Sequence, residues 1–61
     1  MLKLGTEFFD IHNARYLTID GVGADPHLYM CIQEEWNDSN ELEITRRAWF
    51  TESELEKMER V

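Results

Sequence analysis

Cysteine is almost absent from this chain of 61 residues: Cys31 stands alone, so no internal disulfide can form, and the fold must hold without such a staple. A lone thiol also fits a reducing compartment. Soft metal ligands are equally scarce, because only His12 and His27 join Cys31. His27 and Cys31 lie four residues apart, about 13 Å in a strand, too far to share an ion. Neither a metal nor a cofactor is expected. Glycine and proline are concentrated in one place, where residues 20–26 hold Gly21, Gly23 and the only proline, Pro26. Gly21-Val22-Gly23 lacks the third glycine, the lysine and the helix start of a phosphate cradle, so it reads as a loop. Asp10, Asp20 and Asp25 lack the spacing of a calcium loop. No stretch approaches the roughly 18 apolar residues of a membrane span, and residues 1–7 lack the apolar run of a signal peptide. A cytoplasmic protein without membrane contact is expected.

Basic residues are the last scarcity. Six Lys and Arg face thirteen Asp and Glu, a formal net charge of −7 on 7.3 kDa. Such a field repels nucleic acid and phosphate-bearing ligands and steers toward basic surfaces. The acidity is not that of a disordered chain, since 43% of residues are hydrophobic and 11% aromatic. It is also uneven: nine of the acidic residues lie from Glu34 onward, against Arg46, Arg47, Lys57 and Arg60.

What is present is organised around residues 40–61. Thr51 followed by Glu54 is a capping box, which fixes a helix start at Thr51. Glu52 and Glu54 suit the positive end of its dipole, and Lys57 and Arg60 the negative end. Leu55, Met58 and Val61 would form a narrow apolar seam, with Phe50 stapled on Leu55. Glu52, Glu56 and Glu59 would share another side of the same helix.

Upstream, four segments have strand character. Residues 6–11 read as a strand, with a short helix as the alternative, and His12-Asn13 as a turn. Residues 15–19 follow as a second strand and residues 27–35 as a third, apolar on both sides as in a covered central strand. Residues 37–40 make a turn, and residues 41–50 alternate with Leu42, Ile44, Ala48 and Phe50 on one face. Arg46 breaks that face and marks a bulge or the sheet rim. Short connections favour neighbouring antiparallel strands. The expected fold is therefore α+β: one compact domain over residues 1–61, a small antiparallel β-meander of three to four strands with one C-terminal α-helix packed on it.

Sixty-one residues leave little room for a cleft beside a core, and no nucleophile, base and orienting group stand in a recognisable pattern. No enzyme is expected. The candidate partner-binding residues are Glu34, Glu35, Trp36, Asp38, Glu52, Glu56 and Glu59. Carboxylates four apart on a helix are spaced by about 6 Å, near two axial steps of a nucleic-acid strand. Trp36 among its carboxylates has the character of an interface anchor.

In size, in its single cysteine, in Glu34-Glu35 before Trp36 and in the Trp49-Phe50-Thr51-Glu52 entry to a Glu-rich segment, the whole chain resembles the small acidic proteins of phages and mobile elements. Anti-CRISPR proteins and other DNA mimics belong to that group, whose likeness is one of character and not of a shared motif. The resemblance implies a binding-only inhibitor that blocks the basic nucleic-acid-binding groove of a host protein or CRISPR effector complex, and a monomer is the favoured state. Arg46-Arg47 departs from a uniformly acidic mimic. The alternative is a structural or regulatory subunit, in the form of a homodimer, that uses an apolar sheet face.

Overall fold

In the computed structural model, which describes residues 2–25 and 27–61, the apolar alternation becomes five antiparallel strands and one short helix. Strand β1 is Glu7–Asp10, β2 Arg15–Val22, β3 Leu28–Trp36 and β4 Leu42–Thr51. Helix α1, Glu52–Glu56, follows without a linker, and β5 is Glu59–Arg60. The strands lie in the order β4-β3-β2-β1-β5, so β1 to β4 form the expected meander. Residues 6–11 hold a strand, not a helix. Pro26, assigned to the loop after β2, lies outside the described residues.

Two tight turns use left-handed residues. Between β1 and β2, the Asp10 carboxylate accepts from the His12 amide and from Asn13 Nδ2, and Ala14 adopts φ 50°. Between β3 and β4, Asn37 Oδ1 accepts from the amides of Ser39 and Glu41, and Asn40 takes φ 58°. Asparagine tolerates that region, whereas alanine pays about 1–2 kcal/mol to enter it. Ala14→Gly is therefore expected to raise stability by about 1 kcal/mol, after part of the gain is lost to the freer unfolded chain. Thermal unfolding should show a rise of roughly 4–8 °C, and a fall would contradict the strain.

One face of the sheet carries the core. Cross-strand partners share a face: Phe8 stands opposite Leu17, Ile19 opposite Cys31, and Tyr29 opposite Phe50. Leu55 from α1 and Leu2 from the N-terminal arm close over them. Tyr29, fully buried, ties both covers down, since its hydroxyl accepts from the Leu2 amide at 3.1 Å and donates to Glu52 Oε1 at 2.9 Å. The same face also carries a polar chain. Arg15 joins buried Asp10 to buried Gln33, and Gln33 donates to Thr45 Oγ1 and Glu35. Among the described residues no buried side-chain polar atom lacks a partner.

Three expectations are corrected. The sheet has five strands where three to four were expected. The helix keeps its cap, with the reciprocal Thr51–Glu54 bonds both formed, but it ends at Glu56 and is not C-terminal. Of the expected seam only Leu55 is buried, with Met58 partly so. One buried side chain cannot sustain a longer helix, which is marginal by itself. The edge of β1 offers the tail an alternative: β5 pairs with Phe8 and Phe9, and the Val61 amide donates to Glu7 O.

The third correction concerns β4. Gln33 pairs with Arg46 but Glu34 pairs with Ile44, which leaves Thr45 as an extra residue. A bulge shifts the alternation by one. Leu42 and Ile44 therefore do not share a face with Ala48 and Phe50, but lie on the opposite face with Arg47 and Trp49.

Candidate functional site

Among the described residues nothing covers two surfaces of the meander: the end of the β3–β4 hairpin and the face opposite the core. The hairpin outruns its neighbours, because β2 begins at Arg15 and its last pairing with β3 is Tyr16 with Glu34. Beyond that point Glu35 and Trp36 are flanked by β4 alone. Neither face is shielded there, and every residue from Leu42 to Arg47 is exposed.

Four of the seven sequence-assigned site residues meet at this end. Glu34 points to the open face, Glu35 to the core face, Trp36 to the open face beside Leu42, and Asp38 lies in the turn. Glu41 and Glu43, counted in the sequence as charge only, complete the cluster. No Lys or Arg occurs between residues 34 and 43, and that gap was the signal in the sequence. Trp36 keeps 57% of its surface exposed. Two local bonds shape the carboxylates: Gln33 Nε2 donates to Glu35 Oε2 at 3.2 Å, and Asn37 Nδ2 to Glu43 Oε2 at 3.0 Å.

Glu52 and Glu56 share one side of α1 and line one depression beside His27, but Glu59 does not join them. Glu52 accepts from Tyr29, Glu56 is exposed at the helix end, and Glu59 stands on β5 opposite Phe9. The helical row is therefore two carboxylates and not three. Glu54, beside them, serves the cap, and the bond from the Thr51 amide holds its carboxyl below the ordinary value.

The open face carries Phe9, Tyr16, Met30, Ile32, Ile44 and Trp49, assigned to it by their cross-strand pairings. Phe9 and Tyr16 rings lie 5.0 Å apart. Trp49 crosses Gly23, where a Cβ would stand 3.2 Å from its ring, so this glycine is the seat of the indole. Arg47 reaches from this face of β4 to Asp20, at 2.6 Å.

For chemistry the described residues offer little. Burial pushes the Cys31 thiol up to about 11, so it is protonated at neutral pH. No group of three or more His, Cys, Asp or Glu among the described residues could hold a metal ion. Open depressions flank α1, one between His27 and Glu56 and one between Phe9 and Met58. No helix among the described residues is long and apolar enough to cross a membrane. Compared with known proteins, the chain matches no family model, no curated protein and no solved structure.

Proposed function

We propose that this protein works by binding another protein, and that the acidic end of the β3–β4 hairpin occupies a basic nucleic-acid-binding groove of that partner. One observation carries the reading: five carboxylates, Glu34, Glu35, Asp38, Glu41 and Glu43, surround exposed Trp36 where no other strand flanks the hairpin. Two residues of extended chain span about 7 Å, near two axial steps of one nucleic-acid strand, so Glu41 and Glu43 offer anionic groups at phosphate-like spacing. On the other face of the same hairpin end, the Trp36 indole offers a π-face of the kind that bases present to stacking pockets. A groove that binds nucleic acid supplies both complements, cations and stacking surfaces.

Occupying such a groove excludes its natural ligand, which makes the protein an inhibitor with no reaction of its own. The resemblance in character to anti-CRISPR proteins supports the choice of target class: a nucleic-acid-binding complex of a host, a CRISPR effector complex included.

The reading is tested by capture from a bacterial lysate on immobilised wild type and on a variant combining Glu35→Gln, Asp38→Asn, Glu41→Gln and Glu43→Gln. A nucleic-acid-binding complex should be held at about 0.05 M salt and released at about 0.5 M, as an ion-paired interface requires. The variant should retain at least tenfold less of it, and added DNA or guide RNA should compete. Capture indifferent to salt and to the four substitutions would overturn the proposal.

A further inference from the structure

We propose, against the expectation of a monomer, that the open sheet face is a self-association surface covered by a second copy of this chain. The argument begins in β3. Its core face carries Tyr29 and Cys31, and its other face Leu28, Met30 and Ile32. An antiparallel sheet with one face in water alternates apolar and polar residues, and β3 from Leu28 to Ile32 does not. Among the described residues this sheet is covered on one face.

The size of the bare face fits a copy of itself. The molecule measures 37 × 18 × 15 Å, with strand length along the first axis and the width of the sheet along the second. Its broad face therefore offers at most roughly 700 Å², of the same order as the roughly 800 Å² that each partner contributes to a standard interface. A 61-residue chain with a core on one face is also among those that gain most from association.

Charge on the face is self-complementary. Asp20 neutralises part of Arg47, whose side chain remains 60% exposed with donors to spare. Glu34, near it on the adjacent strand, makes no side-chain hydrogen bond among the described residues. In a two-fold interface the same patch meets itself, so each Arg47 can reach the other copy's Glu34. The sheet edges are the poorer route. One edge is the two-residue β5; the other, β4, is interrupted by the Thr45 bulge and the Arg46-Arg47 pair, devices that discourage strand addition.

Two chains of net charge −7 repel, so screening should tighten this association. That is the opposite sign from the salt-weakened binding proposed for the hairpin end, and the two proposals can fail separately. The test is sedimentation equilibrium of the full chain from about 1 to 500 µM at about 0.05 and 0.5 M salt. The expected mass at the upper end is twice 7.3 kDa, with a lower dissociation constant at high salt. Ile44→Lys and, independently, Leu42→Lys lie at exposed positions and should leave the circular dichroism unchanged while weakening the dimer at least tenfold. The variant that neutralises Glu35, Asp38, Glu41 and Glu43 but keeps Glu34 should not weaken it. A monomer at every concentration and salt would overturn the proposal, as would a dimer that neither lysine variant weakens. A monomer whose lysate capture is abolished by Ile44→Lys would also overturn it, assigning the face to a different protein.

Discussion

Phe8→Ala should abolish cooperative thermal unfolding or lower its midpoint by at least about 12 °C. Phe8 is 1% exposed and stands between Leu17 on β2 and the tail, where the Arg60 guanidinium lies 5.7 Å from its ring. Removing a buried phenyl ring costs roughly 3–5 kcal/mol, from lost burial and from the cavity left behind. A domain of this size rarely holds more than about 3–5 kcal/mol, so the loss is comparable to the whole. At roughly 4–8 °C for each kcal/mol, 3 kcal/mol already gives the stated minimum shift. Trp36→Ala is the control: the ring is as large but 57% exposed at the hairpin end, so the midpoint should move by no more than a few degrees. The scan belongs at about 1 µM, where self-association contributes least. Equal shifts in the two variants would place the core on the wrong face.

That face was legible in part. The Thr51–Glu54 cap formed as read because its signal is local, two side chains three residues apart bonding to each other's backbone. The strands were legible for the same kind of reason, since each alternation records which side is covered. The helix end was not, because nothing near Glu56 stops it; the competitor is the edge of β1, some fifty residues away in sequence. The Thr45 bulge was announced by Arg46, the charge that interrupts an apolar face. Its consequence, the transfer of Leu42 and Ile44 to the other side of the sheet, depends on pairing with β3 and is invisible in β4 alone.

The candidate site divides along the same line. The carboxylates around Trp36 are close in sequence and stay close in the hairpin. The helical row of Glu52, Glu56 and Glu59 needed about two turns of helix, and the chain makes little more than one. The open face was half visible in the two-sided apolar run of β3, but its breadth comes from four strands lying side by side.

The Asp10–Arg15–Gln33 chain was not visible at all, and it supports the second large effect: Arg15→Leu should cost roughly 3 kcal/mol at neutral pH and markedly less near pH 3. Asp10 is buried, accepting from Arg15 Nε at 2.9 Å and Asn13 Nδ2 at 2.8 Å, while Arg15 Nη1 donates to Gln33 Oε1 at 2.6 Å. Removing the guanidinium leaves a buried carboxylate without its cation and Gln33 without a donor, the costly way to break a buried pair. Burial raises the Asp10 pKa, but the bonds from Asn13 and Arg15 and the charge of Arg15 outweigh it, so the net position is below 3.8. A carboxyl with a depressed folded pKa adds stability above its unfolded value, and that stability is lost as pH falls through the folded one. In the wild type the contribution of Asp10 is therefore present at pH 7 and declines below about pH 4. Without Arg15 the burial that raises the pKa is less opposed, so Asp10 takes up its proton at higher pH and the variant loses less on acidification. Glu54 also has a depressed pKa, but mainly through Thr51, so it titrates in both proteins and largely cancels. Urea unfolding at both pH values reads the difference: the gap between wild type and Arg15→Leu should narrow in acid. A gap of equal size at both would mean that Arg15 acts through its packing on the Phe50 ring, 5.3 Å away, and not through its charge.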